Sequence, residues 1–237
     1  MIPPSLWVYL STTPLFWLTA TVVAWLIADA LAHAARRNPL VNPVLIAILL
    51  IAALLKATGA DYQTYFNGAQ FVHFLLGPAT VALGVPLYRN RALVRRNLVP
   101  MIAALLAGSV VALASAVAIA AAFGVPHAIL VSLAPKSVTA GIAMAVSERL
   151  GGIPSLTAAL VIATGVIGAI MVTPLMNALG VRDWAARGFA AGLAAHGVGT
   201  ARAFSVDPVA GTFAGIAMGL NAMATAVLAP LLLPLIL

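Results

Sequence analysis

Lys136 carries a positive charge inside a long apolar stretch, in the run Ala134-Pro135-Lys136-Ser137-Val138-Thr139. No other Asp, Glu, Lys or Arg occurs from residue 97 to 135 or from 138 to 147. An ammonium group in a bilayer is expensive, so a bound anion, a paired carboxylate or a water-filled cavity must offset its cost. Glu148 lies twelve residues away, about 18 Å along a continuous helix, which argues against direct pairing. The sequence therefore favours an anion site.

Pro135 strengthens this interpretation because it lacks a backbone N–H and ends a helix. A half-helix beginning here would present the free N–H groups of residues 137–139 and the positive end of its dipole. With the Lys136 ammonium and the Ser137 and Thr139 hydroxyls, this is a receptor suited to a carboxylate. The alternative is a lysine whose stem lies in the membrane while its ammonium extends to the interface.

A second cluster is His196-Gly197-Val198-Gly199-Thr200-Ala201-Arg202. Its two glycines permit a backbone turn and a close approach to a ligand. Thr200 is a candidate cap for a second half-helix, and His196 can donate to a substrate or carry a proton near neutral pH. Arg202 is either a substrate contact or an interfacial anchor. The alternative for the whole cluster is a kink that only permits close packing, with His196 bonded to a neighbouring carbonyl.

Two further places are candidates for the same site. The run Gly77-Pro78-Ala79-Thr80 is a break in which Pro78 suits a first helical position and Thr80 adds a hydroxyl. It carries no charge, so we expect it to bind through backbone groups, unless it is a simple proline kink. Asn221 needs hydrogen-bond partners if it is buried in lipid, so it is either a helix–helix bond or a pocket donor.

The elements that position these residues follow from composition. The chain has 237 residues, of which 63% are hydrophobic and only 7% are charged, against about 25% charged in soluble domains. It is therefore an integral membrane protein, and helices are expected because the backbone must satisfy its own hydrogen bonds in lipid. The absence of cysteine excludes disulfides, thiolate catalysis and Cys-ligated metals. We expect no cofactor, no metal site and no enzymatic activity, since no catalytic or phosphate-binding motif occurs.

The net charge of +7 comes mainly from basic residues at segment ends, which is typical of membrane topology rather than of nucleic-acid binding. Six arginines show this pattern: Arg36, Arg37, Arg89, Arg91, Arg95 and Arg96. Two arrangements remain open, one in which segment 127–149 spans the membrane and one in which it is re-entrant. Both place the loop of residues 89–96 on the cytoplasmic side.

Eight hydrophobic segments predict an all-α polytopic membrane protein with about seven or eight segments in one domain, 1–237. They cover residues 6–35, 40–57, 62–88, 93–123, 127–149, 154–179, 184–206 and 208–237. The third and seventh segments are both interrupted, at residues 77–80 and 196–200. Paired interruptions indicate an internally repeated transporter with broken or re-entrant helices. The repeat halves would be 6–123 and 127–237.

Four runs resemble the LrgB/CidB family and together cover nearly the whole chain. They are LLGPATVALGVPLYRNR (75–91), APKSVTAGIAMAVSERLGGIPSLTA (134–158), AAHGVGTARAF (194–204) and AGIAMGLNAMATAVLAPLL (214–232). The chain departs from the family at Ala195, where the family often has Ser before the His. The departure bears on a side-chain role at this position and not on the backbone turn.

The resemblance implies two functions of different classes. One is an antiholin-like regulator of murein hydrolase export and autolysis, acting with a small LrgA/CidA-type membrane partner. The other is transport, because the plant plastidial glycolate/glycerate translocator is similar to a fusion of the two partners, and bacterial members are linked to pyruvate and related short carboxylates. Either way, the resemblance implies a multi-pass protein of the bacterial cytoplasmic (inner) membrane.

We expect a transporter of small monocarboxylates, of the glycolate, glycerate, pyruvate or lactate type, that works by alternating access. Its bound partners would be this carboxylate, the lipid bilayer and an LrgA/CidA-type protein, and self-association is left open. Coupling to H⁺ through His196 or to Na⁺ also stays open, although no buried Asp supports a strong Na⁺ site. The predicted substrate-binding residues are Lys136, Ser137, Thr139, His196, Gly197, Gly199, Thr200, Arg202, Asn221, Pro78 and Thr80.

Overall fold

The computed structural model describes residues 13–38, 40–75, 78, 81–82 and 84–237, and the secondary structure of these residues is helical. The helices are α1 (Pro14–Ala34), α2 (Pro43–Thr58), α3 (Tyr62–Phe74), α4 (Gly84–Arg89), α5 (Arg91–Arg96), α6 (Leu98–Ala122), α7 (His127–Leu133), α8 (Ala140–Arg149), α9 (Pro154–Ala178), α10 (Trp184–Val206) and α11 (Pro208–Ile236). Four of them, α1, α6, α9 and α11, are long and apolar enough to cross a membrane. The prediction of an all-helical polytopic membrane protein is therefore confirmed.

Proline and short polar side chains determine where several helices begin. Pro14, Pro43, Pro154 and Pro208 occupy the first turn of their helices, where a missing N–H costs nothing. The Asp207 carboxylate accepts from the N–H groups of the second and third residues of α11. Such caps satisfy donors that have no intrahelical partner.

The chain divides into two compact units, Met1–Gly84 and Val85–Leu237. In the first unit α1 packs against α2 and α3. Gly68 permits the close approach of α3 to α1, because a Cβ there would lie 2.7 Å from Trp17 Cβ. Trp17 is fully buried and meets the ring of Tyr65 edge-on. At the start of α3, hydrogen bonds from Thr64 and Gln63 hold the pKa of the exposed Asp61 carboxyl below its ordinary value of 3.8.

In the second unit α6 and α11 run in the same direction. Their first halves contribute Met101 and Phe213 to one apolar cluster, and their second halves contribute Val117 and Leu233 to another. We call the end of the unit where α6, α10 and α11 begin the proximal end, and the end where α6 and α11 finish the distal end. Helix α9 runs the opposite way, from the distal to the proximal end.

The chain from α7 to α8 folds back on itself as a hairpin, here called hairpin 1 (residues 127–149). The Thr157 hydroxyl oxygen of α9 lies 3.1 Å from the Ser132 carbonyl oxygen and 2.7 Å from Ser147 Oγ. A continuous helix would separate residues 132 and 147 by about 22 Å. The reversal occurs in residues 134–139, called turn 1. Hairpin 1 therefore starts and finishes at the distal end.

Helix α10 also folds back, as hairpin 2 (residues 184–206). Ala191 and Ala203 belong to one apolar cluster with Ala210, although a straight helix would place twelve residues about 18 Å apart. The interruption, called turn 2, is at Ala195 and His196, whose φ/ψ values are −126°/18° and 42°/−132°. Hairpin 2 therefore starts and finishes at the proximal end, opposite to hairpin 1.

Candidate functional site

The two turns meet near the middle of α6 and α11, at the side-chain amide of Asn221. Asn221 Nδ2 donates to the Ser137 carbonyl of turn 1 at 3.2 Å and to the Leu193 carbonyl beside turn 2 at 2.9 Å. Ser109 Oγ of α6 donates to Asn221 Oδ1 at 2.7 Å. Only 1% of Asn221 is exposed, which makes it a buried connection among four elements. The sequence left two roles open for Asn221. In this geometry its amide forms hydrogen bonds between helices, and a direct contact with the substrate stays a prediction.

Turn 1 places Lys136 beside Ser137. Lys136 is half-buried, and its ammonium donates to Ser137 Oγ at 3.2 Å. Within the described ranges, the ion pairs that form involve Asp29 and not Lys136. The neighbouring Pro135 and Val138 are buried, so turn 1 is embedded in the unit, while Lys136 as a whole is half-buried. A cation held in this way can attract a small anion.

Helix α8 begins at Ala140, with Thr139 as the residue before it, so residues 137–139 precede the helix and do not form its first turn as predicted. Turn-type hydrogen bonds occupy the preceding backbone, from Lys136 N to Leu133 O at 3.1 Å and from Val138 N to Pro135 O at 3.2 Å. The Thr139 side chain makes no capping hydrogen bond. The backbone donors of the first turn of α8 therefore face turn 1 without a side-chain cap.

Turn 2 is held against α9 by His196. The His196 ring is buried, with Nε2 2.9 Å from the Val161 carbonyl oxygen. A Cβ on Gly165 of α9 would lie 2.7 Å from His196 Cε1, so the ring fills the space that this glycine leaves. The contact is the one expected from the packing alternative. A substrate role for His196 stays a prediction.

The two glycines that follow turn 2 were expected to form the turn, but the structure gives them other roles. The residue with positive φ is His196, at 42°, a conformation that is costly for any residue other than glycine. Gly199 instead permits the two halves of hairpin 2 to touch, because a Cβ there would lie 2.4 Å from the Ala191 carbonyl oxygen. The missing Cβ of Gly197 would lie 3.8 Å from the Met218 sulfur, which is an ordinary contact distance.

The prediction that Thr200 caps a second half-helix is wrong. Its hydroxyl donates to the His196 carbonyl at 2.8 Å and does not cap an N–H group. Arg202 lies nearer the proximal base of hairpin 2, where it lines a small cavity together with Trp184 and Arg187. Of the predicted residues at the other break, Thr80 lies outside the described residues, and Pro78 belongs to the first unit.

A cavity of about 420 Å³ extends from the proximal end to turn 2, between α6 and the first half of hairpin 2. Asn97 and Asp183 lie at its outer end, and Leu193 and Ala194 lie at its inner end. The Leu193 and Ser137 carbonyl oxygens share the Asn221 amide and are therefore within about 6 Å of each other. The cavity thus reaches the neighbourhood of both turns.

Sequence reasoning missed the residues that fasten hairpin 1 to α9. Ser132, Ser147 and Thr157 are fully buried and form one hydroxyl cluster, and Ser132 Oγ also accepts from the Ile153 N–H at 2.7 Å. Gly152 lacks a Cβ where Ser147 Oγ approaches it. The available signal was the run Gly-Gly-Ile-Pro-Ser-Leu-Thr at 151–157.

Comparisons with known proteins give a consistent family. The family model described as LrgB-like matches residues 21–235. The holin-like protein CidB of Staphylococcus epidermidis is 35% identical over 196 residues, which cover 83% of this chain and 86% of the relative. The uncharacterized protein YxaC of Bacillus subtilis is 34% identical over 213 residues, which cover 89% and 91% of the two chains. No solved structure matches the chain significantly.

These bacterial relatives and the four apolar helices together indicate a multi-pass bacterial membrane protein. The first relative is named a holin-like protein. The family match covers most of the chain, including both hairpins. The chain belongs to the LrgB-like family.

Proposed function

We propose that this protein transports small monocarboxylates across the membrane by alternating access. The observation that carries the proposal is the meeting of two helical hairpins from opposite ends at one buried amide, with Lys136 in one of the turns. In transporters, substrate sites lie near the middle of the membrane, where helices are interrupted and backbone groups become available.

The electrostatic argument favours an anion. Lys136 has no carboxylate partner in the described parts of the chain, and placing its ammonium at mid-membrane requires compensation. The uncapped first turn of α8 adds backbone donors and the positive end of a helix dipole. A small carboxylate would satisfy both, with Ser137 and Thr139 as further donors. We retain His196, Thr200 and the backbone of Gly197 and Gly199 as the opposing side of the site.

The arrangement of the second unit supports a repeat of inverted topology. Helix α6 and hairpin 1 are followed by α9 and hairpin 2, each pair being a long helix and then a hairpin that returns to the end it came from. In the membrane both hairpins would be re-entrant. This pairing differs from the predicted halves 6–123 and 127–237, which remain a prediction because Gly77 and Thr80 lie outside the described residues.

Basic residues orient the second unit. Arg95 and Arg96 directly precede α6, and Arg182 and Arg187 flank the start of α10, all at the proximal end. The distal end has Arg149 next to Glu148. The positive-inside rule then places the proximal end in the cytoplasm. This is the re-entrant alternative left open by the sequence, in which Arg182 and Arg187 join the cytoplasmic set and Arg149 lies outside.

Uptake of labelled glycolate, pyruvate and lactate into liposomes containing this protein alone tests the proposal. Wild type should accumulate at least one of them, and Lys136→Ala and Lys136→Gln should reduce uptake tenfold or more. Lys56→Ala is the matched control, since Lys56 lies in the last turn of α2. Wild-type uptake that persists in both Lys136 variants would show that the site is wrong. Uptake that is absent in wild type, with or without an LrgA/CidA-type protein, would refute the transporter.

The second candidate is an antiholin-like regulator of murein hydrolase export and autolysis, acting with an LrgA/CidA-type partner. The names of the relatives, holin-like protein CidB in Staphylococcus epidermidis and Staphylococcus aureus, favour this candidate over transport. Detergent-induced lysis of cells lacking their own family members separates the two. A pure regulator should restore normal lysis equally well with Lys136→Gln, whereas a regulator that acts through carboxylate flux should lose the effect.

A further inference from the structure

The amide of Asn221 has all its polar atoms engaged by the protein. An asparagine amide offers two N–H donors and one carbonyl oxygen with two lone pairs. Both donors are used, on the carbonyls of Ser137 and Leu193. The oxygen accepts from Ser109 Oγ at 2.7 Å and has Thr225 Oγ1 at 3.4 Å. In this geometry the side chain has no hydrogen-bonding capacity left for a ligand.

Ser109 fixes the orientation of that amide. Its hydroxyl is buried, and the short bond to Oδ1 requires the nitrogen of the amide to point the other way, toward the two carbonyls. Because both carbonyls are acceptors, they cannot bond to each other and need a donor between them. The amide of Asn221 supplies one hydrogen to each turn.

We propose that Asn221 is a positioning residue that holds turns 1 and 2 together, with Ser109 orienting it, and that it does not bind the anion. The proposal rests on the transporter function above, and it gives Asn221 a different role from the predicted substrate contact. Hairpins 1 and 2 come from opposite ends of the unit, and this amide joins both of them to α6 and α11. Holding the turns together fixes Lys136 and the first turn of α8 relative to turn 2.

Transport kinetics distinguish a positioning residue from a direct ligand. Asn221→Ala and Ser109→Ala should each raise the KM for glycolate, pyruvate and lactate, by about tenfold and about threefold respectively, and by the same factor for all three acids. Ser109→Ala should add nothing in the Asn221→Ala background, since Ser109 acts through the amide. Ser115→Ala is the matched control, because Ser115 lies on the exposed side of α6 and bonds only within its helix.

A direct ligand would give a different pattern. It would lose affinity unequally between the hydroxy and the oxo acids, in Ser109→Ala as well as in Asn221→Ala, because Ser109 orients the amide. That result would overturn the proposal. Ser109→Ala also keeps the test decisive if Asn221→Ala fails to fold, because it leaves the asparagine in place.

Hydrogen–deuterium exchange in lipid nanodiscs tests the same idea without transport. Both variants should exchange faster than wild type in residues 134–139 and in residues 193–197, and Ser115→Ala should change neither segment. Faster exchange in both turns supports the positioning role even if wild type transports nothing, a result that would count against the transporter alone. Unchanged exchange in either turn would overturn the proposal.

Discussion

Replacing Gly199 by alanine tests whether α10 folds back, because the two geometries predict opposite signs. In a straight helix, Gly→Ala stabilises by about 0.5–1 kcal/mol. In the hairpin, the new Cβ would lie 2.4 Å from the Ala191 carbonyl oxygen and 2.7 Å from Ala195 Cβ. Carbon atoms pack best at about 3.5–4.0 Å, so the halves must separate by about 1 Å. Neither neighbouring atom belongs to a flexible side chain, and the strain cannot be relieved locally.

Overpacking of this kind costs about 1–3 kcal/mol. With about 2–4 °C per kcal/mol for a unit of this size, the unfolding midpoint of Gly199→Ala should fall by about 2–12 °C. Thermal unfolding of purified protein in one detergent, followed by tryptophan fluorescence, gives the measurement. Gly219→Ala is the matched control, because no atom of another described element lies within 4 Å of the missing Cβ on α11. A midpoint that rises in both variants would refute the hairpin.

Two further changes test other parts of the structure. Thr157→Val removes the hydroxyl that contacts both Ser132 and Ser147. Because buried polar groups are then left unpaired, the protein should be destabilised by about 1–3 kcal/mol in the same unfolding assay. Thr19→Val is the control and should show no such loss, since the Thr19 hydroxyl bonds to the backbone of its own helix, α1. The pKa of the Asp61 carboxyl is lowered in the folded protein. The ionised carboxylate therefore stabilises α3 fully at a pH above the ordinary pKa, and this stabilisation is lost as the pH falls through the lowered pKa. Amide exchange of residues 62–65 should therefore be slower in wild type than in Asp61→Asn at pH 6, and the difference should shrink toward pH 3. A difference that is constant with pH would contradict this account.

The limits of the segments were predictable from local signals. The apolar length, the proline at the first turn and the glycines between segments gave 154–179 and 184–206, against Pro154–Ala178 and Trp184–Val206 in the structure. Segment 93–123 was less accurate, because α5 and α6 divide it. Arg95, Arg96 and Asn97 interrupt the apolar run there, and a short helix forms ahead of the long one.

The direction of the chain inside a segment was not predictable in the same way. In a soluble protein, the periodicity of apolar residues indicates which face is buried. Here most positions are apolar or glycine, so the interruption predicted at 196–200 fits a broken helix that continues across the membrane and a hairpin equally well. The direction of the chain is determined by contacts between residues that are separated in sequence, such as Gly199 with Ala191 and His196 with Val161. Even the unusual backbone at His196 has no local signature, since the flanking glycine was the natural candidate for positive φ.

For the candidate site, the important residue types could be predicted from the sequence, but their contacts could not. Lys136 could be singled out because a charge in an uncharged stretch has a cost that is independent of the fold. Asn221 could be singled out as a buried amide that needs partners, but not as the residue that joins Ser137 to Leu193, which are 84 and 28 positions away in sequence. Ser109 gave no signal, because a serine in an apolar helix commonly bonds to its own backbone. An internal site of this kind is therefore recognisable in sequence by the residues whose burial is expensive, while the residues that hold them in place are ordinary in type and become identifiable only through the hydrogen bonds they make.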